Sequence, residues 1–155
     1  MKNSMHSPFV RCMSLLLALS IGWLSFAGLP AAGLDDDVLS ATNQFRKSRG
    51  KSALQMREDL NAIARKHSEN MAAGRVAFGH GGFASRESAA QRKIPGSTAF
   101  AENVAYGATS GKEVVKDWKD SPGHRRNMLG TFKYIGIGTA RDKNGRIYYT
   151  QLFVN

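Results

Sequence analysis

At Lys133 the spacing of apolar residues changes, and that change limits the fold more than any other feature of the chain. Upstream, apolar side chains recur every three or four positions; over 134–140 and 146–154 they alternate in twos, in segments rich in Ile, Tyr, Thr and Phe. Asp142-Lys143-Asn144-Gly145 between those segments is a turn sequence, so an antiparallel hairpin is expected. Gly136 and Gly138 alternate with Ile135 and Ile137, which leaves one face of the first strand without side chains. A bare face of this kind requires something to pack closely on it. Helices first and a sheet last, with no regular strand-helix alternation, predict an α+β sandwich and argue against a doubly wound nucleotide fold.

The helical part divides at its glycines. Over 35–49, Val38, Leu39, Thr42 and Phe45 form one apolar stripe, with Asp35, Asp36 and Asp37 at the positive end of the dipole and Gly50 as the stop. A second helix is expected over 57–73, where Leu60, Ala64, His67 and Met71 share a face and Gly74 ends it. Gly79, Gly81 and Gly82 make a loop around His80, followed by a stretch of mixed helical character over 85–93. Residues 101–106 suit a short strand or buried turn. Ser110-Gly111-Lys112-Glu113 has the form of a capping box that opens a helix with Val114, Val115 and Trp118 inward and an end near Asp120. Ser121-Pro122 then starts a short turn, with Ser121 as N-cap, that presents His124 and packs Met128 and Leu129.

Ahead of these elements, residues 1–33 carry Lys2 and Arg11, an apolar run from Met13 to Leu29 and then small residues, the composition of an export signal. Cleavage after Ala27 or around Ala31 to Gly33 would leave residues 34–155 as a single domain, secreted to a periplasm or the exterior. The only cysteine, Cys12, lies in that signal, so the exported part would hold neither a disulfide nor a metal thiolate. The whole chain has 22 Lys plus Arg against 12 Asp plus Glu, a net charge of +10, and stays near +8 without Lys2 and Arg11. Such a balance suits an anionic envelope polymer or membrane surface. The basic residues are scattered, without the aromatic and basic repeat of a nucleic-acid groove, so no nucleic-acid partner is expected.

Four stretches carry most of the information about chemistry: Phe78-Gly79-His80; Ala101-Glu102-Asn103-Val104-Ala105; Trp118 followed by Ser121-Pro122-Gly123-His124-Arg125-Arg126-Asn127-Met128-Leu129; and Tyr134-Ile135-Gly136-Ile137-Gly138. Together with Asn43, Arg46 and Tyr149-Thr150-Gln151-Leu152-Phe153, their order and spacing resemble the bacterial, cysteine-free branch of the CAP superfamily, which joins cysteine-rich secretory proteins, antigen 5 and pathogenesis-related proteins. The resemblance covers residues 38 to 154. It implies a three-layer α-β-α sandwich with a central, mainly antiparallel sheet and a cleft lined by two histidines and two acids. His80 and His124 match the histidines, and Glu102 matches one acid. The second acid has no match: its offset from Trp118 falls on Ser121, with Asp120 adjacent and Glu87 a looser candidate.

Two imidazoles and a carboxylate are ligands that zinc accepts, with water in an open position that the ion can acidify for attack on an ester or amide. His80, His124 and Glu102 are therefore candidate metal ligands, and His80, Glu102, His124, Ser121 and Asp120 candidate ligand-binding residues. The chain has no His-Glu-x-x-His, which would bring two ligands and a base together on one helix. A buried polar network without metal, in which Glu102 accepts from His80 or His124, is an equal reading of the trio. No catalytic residue is assigned. His67 lies on an apolar stripe and is read as a core or boundary histidine, and Arg125-Arg126 as solvated surface or an anion-holding rim. The resulting expectation is a non-enzymatic binding or effector module for a small ligand, lipid or divalent ion. A metal-dependent hydrolase of an envelope component and a structural adhesion protein are the alternatives.

Overall fold

The computed structural model describes residues 32–155, and most of the expected export signal lies outside the described residues. Five helices and four strands follow in the order α1 (Ala32–Ser48), β1 (Gln55–Met56), α2 (Glu58–Ala72), α3 (Phe83–Lys93), β2 (Phe100–Tyr106), α4 (Gly111–Asp120), α5 (Pro122–Leu129), β3 (Tyr134–Arg141) and β4 (Ile147–Val154). One sheet runs β1-β3-β4-β2; only the two-residue β1 is parallel to its neighbour. α2 and α3 cover one face of this sheet, and α1, α4 and α5 the other. This is the expected three-layer α-β-α sandwich.

The hairpin forms as its pattern predicts, with Tyr134 opposite Val154, Arg141 opposite Ile147, and Asp142 Oδ1 accepting the N–H groups of Asn144 and Arg146 in the turn. The bare face of β3 is covered by α2. A Cβ on Gly136 would lie 2.5 Å from backbone atoms of Leu60, and one on Gly138 2.0 Å from Arg65 N, so helix backbone rests directly on strand backbone. Asn61 Oδ1 accepts the Ile137 N–H at 2.8 Å, and Ser68 Oγ donates to the Gly138 carbonyl at 2.8 Å. These bonds satisfy polar groups that the close approach removes from water.

On the opposite face the larger core joins Val38 and Phe45 of α1, Val114, Val115 and Trp118 of α4, and Met128 of α5 to Ile135, Ile137, Tyr149 and Phe153 of the sheet. Arg46 is buried within this layer and donates to the carbonyls of Ser52, Met128 and Gly130, which ties the end of α1 to the end of α5. Asn43 grips Leu54 through both its N–H and its carbonyl.

Several boundaries differ from expectation. α1 begins at Ala32 rather than Asp35, α3 starts two residues early on Gly82 in the left-handed region, and β2 is a full seven-residue strand. β1 has no counterpart in the sequence reading: two residues are too few to show a period. Ser110 caps α4 as expected, yet Glu113 bonds Thr109 in place of returning to Ser110. Ser121 occupies the N-cap position of α5 in extended conformation, but its side chain makes no capping bond.

Candidate functional site

β2 is the last strand of the sheet, and its outer edge is met by side chains instead of another strand, with Asn127 and Trp118 donating to the Glu102 and Val104 carbonyls. Strand alternation puts Phe100, Glu102, Val104 and Tyr106 toward α2 and α3, and Asn103 toward α1, α4 and α5. The Glu102 side chain is 0 % exposed. A lone carboxylate there would be costly, and Arg86 in the first turn of α3 compensates it. Arg86 Nε donates to Glu102 Oε2 at 2.5 Å and Nη2 to Oε1 at 2.7 Å, a two-pronged clasp. Its Nη1 donates to the Gly81 carbonyl at 2.7 Å, so the same guanidinium fixes the loop that carries His80.

His80 bonds the same carboxylate, Nδ1 to Oε1, at 2.8 Å. A carboxylate beside a guanidinium only accepts, so the proton of this bond sits on Nδ1 and leaves Nε2 as the lone-pair nitrogen of the neutral ring. The ring is half exposed, at 50 %. His67 anchors the loop from beneath: Nε2 donates to the Gly79 carbonyl at 2.9 Å. Burial pushes the His67 pKa down, and the neighbouring Arg86 charge acts in the same sense. The reading of His67 as a boundary histidine is thus given a task, which is to position His80.

His124 approaches the edge of β2 from the other layer. Asn103, fully buried, donates to the His124 carbonyl at 3.3 Å and to Gln151 Oε1 at 3.2 Å, and accepts from Asn127 at 2.9 Å. Asn127 also donates to the Glu102 carbonyl at 3.1 Å. α5 is held to β2 by these bonds, with the half-buried His124 ring beside Trp118. Burial lowers the His124 pKa, and any positive charge on His80 would act in the same sense.

The structure therefore brings His80, Glu102 and His124 to one strand edge, but not as three ligands around one point. Among the described residues, no three His, Cys, Asp or Glu side chains are arranged to hold a metal ion. Against the expectation of zinc on His80, Glu102 and His124 stands Arg86, whose positive charge lies on the carboxylate where a cation would need to be. Asp120 turns away as well, pairing at 3.1 Å with Lys116, both exposed. The Ser121 hydroxyl bonds none of the trio, nor does Glu87, and Arg125 donates to the Lys119 carbonyl. A groove of about 570 Å³ between α2 and α3 has His67, Arg86, Ile63 and Ala89 in its wall, and takes in none of the trio.

Arg86, Asn103 and Asn127 were not among the expected site residues. The available signal was indirect: a glutamate on a strand that faces a helical layer requires a counter-ion, and Arg86 is the only arginine of the segment that becomes α3 apart from Arg92 in its last turn.

A match to the family described as cysteine-rich secretory proteins, or CAP, spans residues 39–153, and the chain belongs to this family. The uncharacterized protein YkwD of Bacillus subtilis is 34 % identical over 120 residues, which cover 76 % of this chain and 45 % of that protein. The chain thus spans less than half of that relative's length. Among solved structures, an extracellular SCP-domain protein of Bacillus anthracis superposes with a TM-score of 0.68 at 25 % identity, over 80 % of this chain and 41 % of the other. An outer surface protein of Borrelia burgdorferi gives 0.70 at 18 % identity, over 82 % of this chain and 96 % of the other.

Proposed function

We propose that this chain is an exported, non-enzymatic binding domain that holds a small ligand, or the polar end of a lipid, between the His80 and His124 rings at the edge of β2. The observation that carries this reading is the clasp on Glu102. With both oxygens engaged by Arg86 and one also by His80, the carboxylate acts as a positioning group for His80 Nδ1 and is not offered as a base or a cation ligand. What remains for a ligand is the lone pair of His80 Nε2 and the half-buried His124 ring, which stays neutral to lower pH than an ordinary histidine. In their neutral forms these imidazoles suit a molecule with hydrogen-bond donors. Export is supported by the basic and apolar composition of residues 1–33 and by likeness to an extracellular and an outer-surface protein.

The test is mass spectrometry on solvent extracts of protein purified without denaturation. A near-stoichiometric small molecule in the wild type that is missing from the His80→Ala/His124→Ala variant supports the reading. Ester or amide turnover that His80→Ala abolishes would overturn it in favour of a hydrolase.

A further inference from the structure

Phe78 and Tyr106 are the only large apolar residues that are strongly exposed among the described residues, at 48 % and 49 %, and they touch each other. Their rings meet edge to face at 4.7 Å, and Tyr106 stacks on its cross-strand partner Tyr148 at 5.6 Å. The cluster stands at the end of the sheet where β3 turns into β4. Arg146 lies over the Tyr106 ring at 5.4 Å, and the exposed Arg141 and Lys143 flank the same turn. The turn's only acid, Asp142, directs Oδ1 inward to two backbone N–H groups. Concentration of all the strongly exposed aromatic surface at one cation-rimmed spot marks an interaction surface.

We propose that this surface docks on an anionic lipid bilayer, with Phe78 and the Tyr106 and Tyr148 rings at headgroup depth and Arg141, Lys143 and Arg146 on lipid phosphates. The arrangement of the rings selects the partner class. Sugars and nucleobases stack on an open ring face, whereas the Tyr106 ring already has Phe78, Tyr148 and Arg146 against it. The Tyr hydroxyl ends and the exposed Phe78 ring remain, and amphipathic Tyr rings beside an apolar side chain are what the membrane interface accepts. The cations complement anionic headgroups, each contributing about fivefold to partitioning. Phe78 shares its loop with His80, but the contacts of the ring cluster and its cations include neither imidazole.

Vesicle flotation of residues 32–155 tests the proposal, since both cores and all described elements lie within that span and the apolar run from Met13 to Leu29 is left out. Vesicles are phosphatidylcholine alone or an equimolar mixture with phosphatidylglycerol. The mixture is expected to recover at least about tenfold more protein than phosphatidylcholine alone. Phe78→Ser and Arg146→Gln should each lower recovery about fivefold, with unchanged melting temperature, while Lys51→Gln changes it less than about twofold. An equal loss with Lys51→Gln would reduce the effect to net charge and overturn the proposal. So would absence of flotation, insensitivity to both Phe78→Ser and Arg146→Gln, or tighter Phe78-dependent capture by polygalacturonate beads, which would assign the surface to an acidic glycan.

Discussion

β3 and β2 each face the α2 and α3 layer, yet they are fixed by opposite means. β3 presents Gly136 and Gly138, and α2 rests on its backbone, where no charge takes part and no side chain can be added. β2 presents Glu102 beyond the apolar contact of Phe100 with Phe83, and there its hold on the same layer is made by charge-assisted bonds to Arg86 and His80. Packing of the first kind depends on shape and on neutral hydrogen bonds from Asn61 and Ser68. Contact of the second kind depends on protonation and on one counter-ion, and it leaves an imidazole facing solvent. The contrast separates a scaffold strand from a functional strand within one sheet.

The largest effect should come from filling the scaffold contact. Gly138→Val drives side-chain atoms into Arg65 N and Ala64, and circular dichroism should find no cooperative folded state; a variant that melts like the wild type would break the comparison. Arg86→Met leaves Glu102 buried without its cation, and denaturant titration should record a loss of about 3–5 kcal/mol. His67→Ala removes the bond beneath the His80 loop and should cost about 1–3 kcal/mol, with faster amide exchange at Gly79 to Gly82. Gly81→Ala, in contrast, meets nothing within 4 Å and should be nearly neutral.

A pH series sharpens the same contrast. His67 and His124 both have pKa values lowered by burial, so below the ordinary imidazole value near 6.5 the unfolded chain binds more protons than the folded one. Their contribution to stability is therefore lost as pH falls from about 6.5 toward the lower folded values. Asp35, whose buried carboxyl is pushed upward, acts in the opposite direction at lower pH, so the informative quantity is a difference. Melting temperature should drop less on acidification from pH 7 to pH 5 in His67→Gln/His124→Gln than in the wild type. Equal slopes would show that the imidazoles are not desolvated.

The sequence exposed the scaffold more fully than the site, for a physical reason. Period, glycine spacing and caps are local, and they were enough to anticipate the hairpin, the close cover over Gly136 and Gly138, and the inner face of α4. His80, Glu102 and His124 could be named through family resemblance, yet their partners depend on long-range contacts that no spacing encodes. Arg86 meets Glu102 across 16 positions, and Asn127 meets Asn103 across 24. Motif residues such as Asn43, Arg46 and Asn103 proved to be pins between separate segments of the chain, since buried amide and guanidinium groups must be satisfied wherever the chain crosses itself.

That Glu102 serves Arg86 and His80 rather than a cation is best tested by zinc anomalous scattering from crystals grown with the ion. The account predicts no peak between His80 and His124, with the Arg86 guanidinium still on both Glu102 oxygens. A zinc peak bonded to His80, Glu102 and His124, with Arg86 swung away, would contradict it.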